Sequence, residues 1–72
     1  MNEDIFDEEA TSLRVRLHEL RTEHQDLDAA ITRLALVPTE DDLMLRRLKK
    51  RKLILKDRIV AIERLLEPDE PA

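Results

Sequence analysis

The chain has 72 residues and a formal net charge of −4, and 42% of its side chains are charged. Gly and Cys are absent and Phe6 is the one aromatic residue, which excludes disulfides and thiolate metal sites. A single core is already marginal at this size, and the dominance of Ala, Leu, Glu, Lys and Arg points to long helices or coiled coil rather than a globule.

The opening MNEDIFDEEA is acidic, the reverse of a signal peptide's basic start, and residues 1–6 read as an acidic N-terminal arm. No apolar run reaches the roughly 18 residues of a membrane span, so a cytoplasmic protein is expected. The lack of Cys fits a reducing compartment. Charge is unevenly spread: residues 1–37 sum to −5 and residues 38–72 to +1.

Phe6, Ala10, Leu13, Leu17, Leu20, His24, Leu27, Ile31 and Leu34 are separated by alternating steps of four and three. That is an unbroken heptad seam, and it predicts a helix from about Asp7 to about Leu36. Asp7, Glu8 and Glu9 suit the positive end of its macrodipole. VPTEDD follows. Pro38 lacks an amide donor and biases Val37 away from helix, while Thr39 can cap a second helix with Asp42 three residues on.

The second half repeats the seam at Leu45, Leu48, Lys52, Leu55, Ile59, Ile62 and Leu66, before Glu67-Pro68 closes it. The expected fold is all-α: two long antiparallel helices forming a coiled-coil-like hairpin over 7–66, turning near 37–40. Residues 67–72 are expected to be a disordered tail. Two helices of about 27–30 residues make a hairpin about 40–45 Å long.

Folding the seams about a centre between Thr39 and Glu40 sets Leu27 against Lys52, His24 against Leu55, Leu20 against Ile59 and Leu17 against Ile62. Asp28 then nears Lys49, Glu23 nears Arg58 and Arg14 nears Glu63, with Arg21 near Lys56 as a repulsive pair.

Seven of the twelve residues from Leu45 to Lys56 are basic, and they point several ways. Arg46, Arg47 and Lys50 face outward as exposed basic candidates, whereas Lys49 and Arg51 flank the seam. Lys52 lies on the seam itself, where its methylenes can cover Leu27 and Leu48 while its ammonium reaches Asp28 or Glu23. His24, Asp28 and Lys52 form a polar seam layer expected to set register, since a single polar seam residue commonly does so at a cost in stability. Proton or ligand sensing by His24 is the sharper alternative.

Leu53 and Val60 flank the seam on one side, and Ile54, Ala61 and Leu65 on the other. One hairpin cannot bury all five, so they are candidate oligomer contacts, in a dimer of hairpins or a larger helical bundle. The acidic arm and the basic stretch sit at opposite ends, which would let antiparallel hairpins exchange charge contacts.

No enzymatic chemistry is legible. Ser12 is the only Ser, there is no Gly-rich loop, and His18 and His24 do not share a face. No catalytic residue, cofactor or metal site is assigned. Nucleic acid is the runner-up, through the outer basic face of the second helix. Overall acidity and the lack of a stacking aromatic argue against it.

TEHQDLDAAI (Thr22 to Ile31) and LRRLKKRKLILKDRI (Leu45 to Ile59) resemble the YdcH-like family of small bacterial proteins, a domain of unknown function. An H-x-x-L-D-x-x-I stretch matches at His24, Leu27, Asp28 and Ile31. L-K-K-x-K-L-x-L-K-D-x-I matches from Leu48 to Ile59, with Arg58 standing where an acidic residue is expected. The resemblance spans residues 10–66. It implies an α-helical coiled-coil hairpin, open to oligomerisation, in the bacterial cytoplasm; an unknown protein partner is a separate expectation, beside the homo-oligomer, from the unburied apolar side chains. It supplies no activity.

Overall fold

A computed structural model describes residues 2–37 and 42–67, with side chains from Glu8 onward. Helix α1 spans Asn2–Leu36 and α2 spans Asp42–Leu66. They pack against each other as a hairpin of 57 × 27 × 15 Å, with no strand among the described residues. The turn residues Pro38 to Asp41, the Phe6 side chain and the tail from Pro68 lie outside the described residues, so the capping and seam readings placed on them do too.

The helices are unequal, at 35 and 25 residues, where near-equal lengths were expected. The difference lies at the first N-terminus. Helix begins at Asn2, five residues before the expected start at Asp7, so residues 2–6 of the acidic arm are helical. Neither Gly nor Pro interrupts the chain before Pro38, and acidic residues favour the N-terminal end of a helix. In the expected register Leu66 stands opposite Leu13. The eleven residues Asn2–Ser12 therefore run on past the end of α2 for about 16 Å. At that same end of α2, its C-terminus, the Glu67 amide donates to the Glu63 carbonyl at 3.0 Å, closing the helix just before Pro68.

Burial follows the heptads. From Ala10 to Leu34 and from Leu45 to Leu66, every seam position is buried or half-buried. Leu17, Leu20, Leu55 and Ile59 form the core, with Leu27, Ile62 and Leu66 packed against it. Burying each such side chain contributes about 1.5–3 kcal/mol, so a two-helix seam with four buried residues holds a thin core. The chain exposes 6406 Å², whereas a compact 8.5 kDa protein exposes about 4,700 Å².

Candidate functional site: a polar layer in the seam

His24 on α1 and Lys52 on α2 are both half-buried, as their seam positions require. Neither points free of the helix pair, yet neither is fully taken from water. Lys52 Nζ donates to Asp28 Oδ1 at 2.5 Å. The Lys52 side chain is 34% exposed and that of Asp28 57%, so stem and ammonium divide between seam and solvent. The hydrogen bond from Lys52, and then its positive charge, hold the Asp28 carboxyl below the usual carboxylate range. Desolvation opposes this and the nearby His24 adds a smaller lowering effect. Thr32 Oγ1 donates to the Asp28 backbone carbonyl at 2.9 Å, one turn back along α1.

Two further ion pairs flank the seam. Arg21 Nη2 donates to Glu63 Oε2 at 2.7 Å. Arg51 donates to Glu23 Oε1 from Nη2 at 2.9 Å and from Nε at 3.3 Å. These replace the expected flank pairs. Glu23 meets Arg51 and not Arg58, Glu63 meets Arg21 and not Arg14, and Asp28 meets Lys52 and not Lys49. The first two are each displaced by one heptad.

For Arg21 and Glu63 the cause is geometric. Side chains on a helix lean toward its N-terminus, and in an antiparallel pair these two lean toward each other. The same contact gives Arg21 an anion in place of the repulsive Lys56. For Arg51, a long guanidinium spans the diagonal to Glu23.

Chemically, this layer is one ammonium–carboxylate pair beside an imidazole. Among the described residues no group of three or more His, Asp or Glu side chains is placed to hold a metal ion. An open groove lies at the far end of the hairpin, lined by Glu8, Glu9, Ser12, Leu13 and Leu65. The exposed basic candidates Arg46, Arg47 and Lys50 face solvent.

Of the oligomer candidates, Leu53, Ile54, Ala61 and Leu65 are exposed and Val60 is half-buried. Leu36, Val37, Leu43 and Met44 are exposed as well, on the residues flanking the turn. Sequence reading passed over these four. Their signal was available, since each is apolar and outside the core positions.

A family model described as "Protein of unknown function (DUF465)" matches residues 17–63. The chain belongs to this family. DUF465 includes the YdcH-like small proteins, the group whose motifs the two helices resemble. The DUF465 match contains the four core residues, the His24/Asp28/Lys52 layer and all three of these ion pairs. It excludes the first sixteen residues, and so the overhang of α1. No curated protein and no solved structure matches the chain. No helix among the described residues is long and apolar enough to cross a membrane.

Proposed function

We propose that this DUF465 chain is a non-enzymatic hairpin that self-associates and serves as a structural or protein-interaction module in the bacterial cytoplasm. One observation carries the reading. Leu65 and Ile54 are 69% and 39% exposed on one flank of α2, with Leu53 at 67% on the other flank, all outside a seam that is already closed. Large apolar side chains repeated along a helix face mark an association surface. The setting rests on the family resemblance, the protein partner on the exposed apolar side chains, and the absence of an enzymatic role on the lack of catalytic groupings in the sequence.

Sedimentation equilibrium tests the proposal. Wild type should exceed monomer mass at tens of micromolar, and Ile54→Asp/Leu65→Asp should shift it toward monomer with helicity retained. A monomeric wild type sinks the reading.

A second reading has its own support. Arg46, Arg47 and Lys50 are exposed and make no ion pair among the described residues. A nucleic-acid backbone is the counter-charge such a face would take. Salt-sensitive RNA or DNA binding that disappears in Arg46→Glu/Lys50→Glu would promote it. Binding unchanged by those substitutions would remove it.

A further inference from the structure

The two sides of the hairpin are not alike, and two contacts mark one of them. The Arg51–Glu23 ion pair lies there, and so does the groove that brings Leu65 to Ser12. Heptad spacing extends both rows. Ser12 leads to Glu19 and Asp26 on α1, both exposed. Leu65 leads back to Arg58 and Arg51 on α2, with Ile54 and Ala61 beside them, all exposed. The same row ends on Arg33, and the neighbouring row of α1 reads Glu9, Arg16 and Glu23, so this side carries a net acidic charge along α1 and is basic and apolar along α2.

We propose that this face binds a second copy of the chain about a two-fold axis parallel to the helices, laying each α1 over the partner's α2. The proposal deepens the self-association reading and rests on it. Charge along this face selects the orientation, in place of the antiparallel exchange between acidic arm and basic stretch that the sequence allows, and it brings the two acidic starts of α1 to the same end. An axis across the helices would stack α1 on α1, setting the Glu19/Asp26 rows together and the Arg51/Arg58 rows together. The parallel axis sets acid on base.

The parallel axis also leaves no freedom in height, because rotation about it moves nothing along the helices. Every residue of the partner keeps the level it has in its own hairpin. In the register centred between Thr39 and Glu40, the partner's Arg58 lies two residues from the level of Glu19, and the partner's Arg51 two residues from that of Asp26. Both offsets are about 3 Å, within the reach of an arginine. Arg33 near the partner's Arg47 is a like-charge approach in this arrangement.

Each helix then has antiparallel neighbours, as in up-down four-helix bundles. Ile54, Ala61 and Leu65 enter the interface. The chain's surface of 6406 Å² exceeds that of a compact protein of its mass by about 1,700 Å². That surplus belongs to the whole chain, and a stable complex would take roughly 800 Å² from each partner.

The absence of Cys makes the test clean. Asp26→Cys and Ile54→Cys chains are mixed, refolded together and oxidised. Both sites are exposed, so helicity should survive. The disulfide-linked heterodimer is expected to exceed either homodimer several-fold. Glu19→Cys mixed with Ala61→Cys should repeat the result one heptad along. A dimeric mass with Ile54→Cys or Asp26→Cys homodimers dominant would overturn the orientation and leave self-association standing. A monomeric mass without cross-links would overturn both.

Discussion

Leu55 is the most deeply buried side chain of the hairpin, 1% exposed at the centre of α2. Leu55→Ala removes its outer carbons from a cluster made with Leu17, Leu20 and Ile59. Large-to-small changes of this kind cost about 2–5 kcal/mol, according to how far the site can collapse. Two helices meeting along one seam can settle together over part of the cavity, so the lower end, about 2–3 kcal/mol, is expected here. At about 0.05–0.15 kcal/mol per residue the whole chain has only about 4–11 kcal/mol to lose. The variant should therefore unfold at markedly lower urea.

Far-UV circular dichroism under urea reads this directly. Wild type and variant must be held at one protein concentration, because assembly adds to apparent stability. Leu53→Ala is the internal control, with the same chemistry two residues away but at 67% exposure. Under dissociating dilution it should lie within about 0.5 kcal/mol of wild type. A Leu55→Ala cost no larger than that of Leu53→Ala would refute the placement of the core.

Other expectations concern charge. In Lys52→Met the titration midpoint of the Asp28 carboxyl, followed by NMR, should rise toward the ordinary 3.8, since its hydrogen-bond donor and nearest cation are gone. An unmoved midpoint would place the cause elsewhere. Because folding lowers this pKa, the pair's contribution is present above pH 3.8 and is lost as pH falls through the lower folded value. Acid titration of Asp28→Asn should therefore lack that part of the stability loss seen in wild type; identical acid limbs would contradict the linkage. The exposed Arg21–Glu63 pair should yield only about 0–1 kcal/mol in a double-mutant cycle, falling with added salt. A coupling well above that would mean the pair is desolvated, as in a closed assembly.

The polar layer shows why seam position and chemical role are separate questions. Lys52 sits on the seam because its spacing demands it, and it stays half-wet because its ammonium has Asp28 within reach. A buried ammonium without that carboxylate would be costly. Asp28 on the other helix thus gives the half-exposed ammonium a partner at the edge of the seam.

Sequence alone determined the hairpin and its buried face. The alternating steps from Ala10 to Leu34 and from Leu45 to Leu66 are local facts, and helical periodicity turns them directly into one covered stripe per helix. The reach of Lys52 to Asp28 or Glu23 was legible for the same reason, since those carboxylates lie within one side-chain length of its layer. Tertiary structure decided what periodicity leaves degenerate. Each flank residue sees two partners one heptad apart, and only the lean and length of real side chains chose Arg21–Glu63 and Arg51–Glu23. The start of α1 was likewise open, because acidic residues with no Pro or Gly among them suit a solvated arm and a helical first turn equally well. The side proposed to bind a second copy was also not visible without the packed pair. The acidic row on α1 and the basic, apolar row on α2 lie far apart in the chain, and they become one face only when the helices lie side by side.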